Sequence, residues 1–187
     1  MKKAHTELRR RPLLTPVWLM AVAALAVISL GAWFLSSLAT TTVVVVRHAE
    51  KELGTIDDPP LSQAGGQRAQ LLARMFGERE GPGRIAAIFA SDTLRCQLTA
   101  APLAARLRIE VTTMKDSRDV EGLARQIRKS YRGQRVLVVG HSNTVSDIAR
   151  AVSGGIRVPA MGDSEYSTIY VITVPTVGPS SVLRLTY

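Results

Sequence analysis

The hydrophobic pattern divides the chain into one uninterrupted apolar block and a series of short apolar runs separated by amphipathic segments. No charged residue occurs from Pro12 to Val46. Residues 13–39 are long enough to cross a hydrocarbon core as a helix, and Trp18 and Trp33 sit near its ends, where indole rings favour the interface. An amphipathic core helix would show a polar stripe, and none interrupts this run. Val43, Val44, Val45 and Val46 follow as a run of β-branched residues, the pattern of a strand buried on both faces. An apolar run of strand length recurs at 85–90, residues 108–112 also read as a strand, and 135–139 form a fourth that is apolar throughout its centre.

Between these runs the pattern becomes helical. Ser62 is placed to cap a helix running through Leu71, Leu72 and Met75 to Phe76, after Pro59-Pro60, which a helix interior would not hold. Gly65-Gly66 weakens its first turn. Asp92 or Thr93 can cap a helix over 94–107. Residues 118–131 place Val120, Leu123 and Ile127 on one side of another, and 145–152 form a last helix stopped by Gly154-Gly155. Residues 166–174 and 182–186 close the chain as antiparallel or edge strands. The alternation predicts an α/β fold: a three-layer, mostly parallel sheet with helices on both faces, preceded by one N-terminal transmembrane helix.

Charge refines this division. The first eleven residues hold five basic side chains against Glu7, so they contribute +4 of the net +9 and leave +5 on the rest. A basic flank before an apolar span is retained in the cytoplasm by the positive-inside rule. The organisation read from this is a basic cytoplasmic tail (1–12), a signal anchor (13–39) and one folded domain (42–187), single-pass, with the domain periplasmic or otherwise extracytoplasmic. A cleaved signal peptide is the competing reading, since Ser37-Leu38-Ala39 resembles a cleavage site, although the apolar run exceeds a signal's usual length. The remaining basic residues are scattered singly without interleaved aromatics, so nucleic acid is not an expected partner. Cys96, the single cysteine, cannot form an intramolecular disulfide and reads as a packing residue. His5 reads as a solvated tail residue.

Chemistry gathers where strands end. Arg47-His48, Ser91-Asp92-Thr93-Leu94-Arg95 and Gly140-His141-Ser142-Asn143 each follow an apolar run, and strand ends of a parallel sheet converge on one crevice. Arg95 in a first helical turn opposes the helix dipole, a cost that points to an anion nearby. Two arginines and two histidines make a phosphate pocket: guanidinium groups fork onto phosphoryl oxygens, and a neutral histidine can act as a covalent nucleophile. Such a site requires neither metal nor cofactor, because the cationic side chains stabilise the developing charge. His48 would need an acceptor to hold its proton on the other ring nitrogen; the sequence does not name one.

These motifs, together with Leu61-Ser62, Gly65 and Thr99-Ala100, resemble the histidine phosphatase superfamily, the phosphoglycerate-mutase-like proteins. The resemblance covers everything after Thr41, with Arg47-His48-Ala49-Glu50 in place of the usual Arg-His-Gly, a variant similar to the compact members that include phosphohistidine phosphatases. It implies His48 as nucleophile, Arg47 and Arg95 as phosphate ligands, and His141 as the second histidine on the phosphoryl group. Glu50 and Asn143 are further substrate-binding candidates, Asn143 also reading as a helix cap and Glu50 as a solvated loop carboxylate. The acid that protonates the leaving oxygen is left open among Asp116, Asp119, Glu121 and Glu50. Ser142 stands where the phytase-like branch has an aspartate, which argues against that branch, and the segment between Arg95 and His141 is too short for a mutase site. The expected activity is that of a membrane-anchored, metal-independent phosphomonoesterase of the histidine acid phosphatase type. Its partner would be a phosphorylated small molecule, envelope component or phosphoprotein. The alternatives are a non-catalytic phosphate-binding domain, or a protein phosphohistidine phosphatase, which needs a cytoplasmic domain.

Overall fold

A computed structural model describes residues 17–37, 39–54, 57–77 and 80–187. The chain divides into two compact units, Met1–Ser37 and Leu38–Tyr187. The first contains helix α1 (Val17–Ser37). Its stretch Val17–Phe34 has a mean hydropathy of 2.2 and no buried residue, so it is long and apolar enough to cross a membrane. At 1.5 Å per residue the 21-residue helix is about 31 Å long, close to the thickness of a hydrocarbon core. The basic tail, His5 and the first residues of the predicted span lie outside the described residues.

The second unit is built on a six-stranded sheet: β1 (Thr40–Arg47), β2 (Ile85–Ser91), β3 (Val111–Met114), β4 (Arg135–Gly140), β5 (Thr168–Pro175) and β6 (Ser181–Thr186). Their order is β3-β2-β4-β1-β5-β6. β1 to β4 run parallel, and β5 and β6 are antiparallel additions beside β1. Helices α2 (Gln63–Gly77) and α3 (Leu94–Leu107) pack on one face, α4 (Val120–Ser130) and α5 (Ser142–Ser153) on the other. The period of two along β1 accounts for this layering. Val43 and Val45 enter the core under α4 and α5, while Val44 and Val46 enter the core under α2 and α3. Val136 and Val138 of β4 follow the first pair, Leu137 and Val139 the second. Burying each of these side chains contributes about 1.5–3 kcal/mol against the entropy of ordering the chain.

Three boundaries differ from the sequence pattern, each for a local reason. The strand expected at 108–112 lies at Val111–Met114, because Arg108 ends α3 in the left-handed region (φ 55°), its N–H bonding to Ala104 and Ala105 carbonyls. α4 starts at Val120 rather than 118, since the Asp119 carboxylate caps it by accepting from Gly122 N–H at 2.8 Å. α5 begins three residues before the expected start, because Thr144 Oγ1 accepts from His141 N–H at 3.0 Å and closes the first turn.

The topology also fixes where a ligand can sit. β1 continues outward through β2 to β3 by way of α2 and α3, and the chain then returns through α4 on the opposite face to β4, between β2 and β1. That reversal opens a crevice at the carboxyl ends of β1 and β4.

Candidate active site

At the end of β1, His48 N–H bonds to the Gly140 carbonyl at the end of β4 (2.9 Å), so the residues that follow both strands are neighbours. The His48 and His141 ring centroids are 5.4 Å apart in a T-shaped arrangement. A cavity of about 360 Å³ opens there, lined by Arg47, His48, Lys51, Arg95, Ser117, Arg118, His141, Ser142, Asn143 and Thr144. Arg47, His48, Arg95, His141 and Asn143, read from the sequence as one site, are thus brought together.

Arg47 is 6% exposed. Its Nη1 donates to the carbonyls of Gly162 (2.9 Å), Asp163 (2.8 Å) and Glu165 (3.3 Å). The guanidinium carbon lies 4.1 Å from the Tyr166 ring centroid, a cation–π stack. Its Nε is buried with no partner. A charged donor left without an acceptor is costly unless a ligand supplies one, and an oxyanion has the required chemistry.

His48 is 4% exposed. Its Nδ1 is 2.8 Å from the Ala49 carbonyl. A carbonyl only accepts, so the neutral ring carries its proton on Nδ1 and leaves the Nε2 lone pair free. The acceptor missing from the sequence reading is therefore the backbone of the next residue. Burial pushes the His48 pKa down to about 4, opposed by the Ala49 bond and assisted by the nearby charges of Arg47, His141 and Arg95. Ala49 N–H in turn donates to Thr99 Oγ1 (2.9 Å), whose hydroxyl donates to the Arg95 carbonyl (2.7 Å). This buried threonine ties the His48 segment to α3.

Asp58, from the loop before α2, meets the first turn of α3. Its Oδ2 accepts from Leu94 N–H at 2.8 Å and its Oδ1 from Arg95 Nη1 at 3.1 Å. The anion suggested by an arginine in that turn is thus matched, inside the chain, by this carboxylate. Thr93 is the N-cap residue but makes no capping bond with its side chain. His141 Nε2 lies 3.0 Å from Ser91 Oγ, and the Ser91 hydroxyl donates to Asp92 Oδ1 (3.1 Å). Because that hydroxyl's proton is committed to the carboxylate, His141 Nε2 is the donor to Ser91. Burial, and next the charge of Arg95, lowers the His141 pKa. Cys96 is fully buried, and burial raises its thiol to about 11, as suits a packing residue.

The carboxylates left open as acids are elsewhere. Arg68 forks onto Glu50 at 2.6–2.9 Å, and this hydrogen bonding holds its carboxyl below the ordinary value. Glu50 is therefore a half-buried ion-pair partner outside the cavity lining. Asp116 accepts from Arg118 N–H and Asp119 caps α4; both line a separate cavity with Phe89, Met114 and Leu123. Glu121 is exposed in the first turn of α4. Sequence reasoning missed Lys51, Ser117, Arg118, Thr99 and Tyr166. Thr99 lay inside a quoted motif without a role, and the others sit in turns whose pattern says nothing of what they face. Among the described residues no group of three His, Cys, Asp or Glu side chains could hold a metal ion. The lining is cationic and suits an anion.

Comparisons with known proteins fit this geometry. Residues 43–123 match the family model Histidine phosphatase superfamily (branch 1). No curated protein matches the sequence. Among solved structures, the protein histidine phosphatase SixA complexed with tungstate has a TM-score of 0.62 at 19% identity, covering 78% of this chain and 96% of that one. A mycobacterial glucosyl-3-phosphoglycerate phosphatase has 0.58 at 15% identity (76% and 97%), and a structure described as mycobacterial hydrolase 1 has 0.58 at 14% (79% and 99%). The α/β unit has the fold of the histidine phosphatase superfamily, and this chain carries that superfamily's branch 1 sequence pattern from Val43 to Leu123.

Proposed function

We propose that the α/β unit hydrolyses phosphate monoesters through a phosphohistidine on His48. The observation that carries this reading is the tautomer: with its proton held by the Ala49 carbonyl, neutral His48 has a free Nε2 lone pair, and the residue lines one cavity with Arg47, Arg95 and His141. Arg47 and Arg95 bind the phosphoryl oxygens, while His141 lines the same cavity. Nε2 attacks phosphorus as the ester P–O bond breaks, and the leaving oxygen departs as its anion and takes a proton from water; a second water then attacks phosphorus, the N–P bond breaks, and phosphate leaves with His48 returned to its neutral form. The cations stabilise charge developing on the equatorial oxygens. Asn143 supplies a polar group at the rim. The family-model match over residues 43–123 and the fold shared with the solved phosphatases support a phosphatase, and the finer type, a histidine acid phosphatase-like monoesterase, rests on the site.

The absence of a carboxylate from the cavity lining favours substrates whose leaving group departs with little protonation, such as aryl phosphates or a phosphorylated histidine. It equally motivates the second reading, a pocket that binds phosphate without turnover. For the first unit we propose a signal anchor with the basic tail in the cytoplasm and the enzyme outside it. A reporter fused after Tyr187 tests this topology, and a cytoplasmic signal would overturn it and favour a cytoplasmic phosphohistidine substrate. Activity is tested by hydrolysis of an aryl phosphate by the detergent-solubilised chain in chelator, beside His48→Ala. Turnover abolished in the variant supports the proposal; equal, negligible rates with retained phosphate binding favour the non-catalytic pocket.

A further inference from the structure

The cavity holds more positive charge and more space than one phosphoryl group requires. Its volume of about 360 Å³ far exceeds the roughly 10–15 Å³ of such space that holds one water. Four of its lining residues, Arg47, Lys51, Arg95 and Arg118, are cations, and none is a carboxylate. The two arginines nearest the histidines are already braced from within the fold, Arg47 by three carbonyls and Tyr166, Arg95 by Asp58. Lys51 and Arg118 differ: both are exposed, and neither side chain has a carboxylate partner among the described residues.

Their backbones are nevertheless fixed. Lys51 pairs with Leu61 in an isolated bridge, and Arg118 N–H donates to Asp116 Oδ1 at 2.8 Å. They also approach the cavity from different strands. Lys51 follows β1 and Arg118 follows β3, and these strands stand three places apart in the sheet, a separation of about 14 Å at the usual strand spacing. Two unpaired cations flanking a cation-lined cavity repel one another and focus a positive potential at its mouth. An anionic group beyond the phosphoryl would relieve that repulsion.

Resting on the phosphatase reading above, we infer that the substrate carries a second anionic group, carboxylate or phosphate, in its leaving portion, and that Lys51 and Arg118 receive it. The pair thus determines specificity, while Arg47 and Arg95 are kept for the phosphoryl group.

The test is calorimetric binding of two phosphonates to the full-length chain in detergent, 4-carboxybenzylphosphonate and its neutral 4-carboxamide. These are not hydrolysed, so the result does not depend on turnover. The carboxylate should bind about 3- to 20-fold more tightly, the range for two solvent-exposed ion pairs. The preference should shrink with added salt and collapse toward one in Lys51→Met/Arg118→Met. Equal binding of both phosphonates to the wild type would overturn the inference while leaving the phosphate site standing. Failure of both phosphonates to bind would overturn the inference together with the phosphate-site reading on which it rests.

Discussion

Replacing Thr99 with valine tests how the nucleophile is held. Thr99 is fully buried between the His48 segment and α3, and its hydroxyl is the acceptor for Ala49 N–H and a donor to the Arg95 carbonyl. Valine has nearly the same shape and the same branching, so packing and helix propensity change little. What changes is that Ala49 N–H loses its acceptor in a dry site, a cost of about 1–3 kcal/mol. For a domain of this size that lowers Tm by roughly 3–10 °C. Relaxation of this segment would also carry the Ala49 carbonyl away from His48 Nδ1, so kcat should fall about 10-fold or more, in keeping with the sensitivity of catalysis to small misplacements. Thr99→Ser separates the two effects: it keeps the hydroxyl and removes a buried methyl, costing about 1 kcal/mol of stability while retaining most of the activity. Urea unfolding and aryl phosphate turnover would be measured on all three proteins. If Thr99→Val matches the wild type in both, the threonine does not position the nucleophile and the reasoning fails.

Further expectations concern the same loop and its charges. A Cβ at Gly65 would lie 2.0 Å from the Glu50 carbonyl oxygen, whereas one at Gly66 meets nothing within 4 Å. Gly65→Ala should therefore displace the His48–Glu50 segment and cost more than about 2 kcal/mol with loss of activity, and Gly66→Ala should stabilise by about 0.5–1 kcal/mol; urea midpoints moving the same way in both would contradict this. The ring signals of His48 should stay in the neutral form as pH falls through 6.5 and titrate near 4, and an NMR midpoint at 6.5 would refute the burial argument. The sign for stability follows: the unfolded chain takes the proton first, so the His48 contribution is full above pH 6.5 and lost as pH falls through that value toward 4. Asp58→Ala removes both the carboxylate on Leu94 N–H and the brace on Arg95, and should lower stability by about 0.5–2 kcal/mol while raising KM for aryl phosphate; an unchanged KM would separate Asp58 from the site.

The sequence was legible where its pattern is strong. The valines of β1 announce a strand buried on both faces, because both helical layers need them, and the motifs after β1, β2 and β4 do meet. Less legible were features set by backbone rather than by residue type. The Ala49 carbonyl that fixes the His48 tautomer has no signature, since every residue has a carbonyl. The left-handed cap at Arg108 shifted β3 by several residues, and nothing marks an arginine there as a stop. Gly65-Gly66 reads as one weak turn, yet only Gly65 is required by a close approach. Arg95 in a helical first turn did point to an anion, but the partner found is Asp58, distant in the chain and indistinguishable by pattern from Asp57. Lys51 and Arg118 belong to the singly scattered basic residues, and nothing in the pattern pairs them; the fold brings both to the lining of one cavity.

The central claim is that His48 becomes phosphorylated. The direct measurement is a rapid quench of the detergent-solubilised chain mixed with radiolabelled phosphomonoester, followed by mapping of the label. Acid-labile, alkali-stable phosphate on the peptide containing His48, formed and lost at rates that account for turnover and absent in His48→Ala, is the predicted result. Turnover proceeding with no label on His48, or label retained in the variant, would contradict the account.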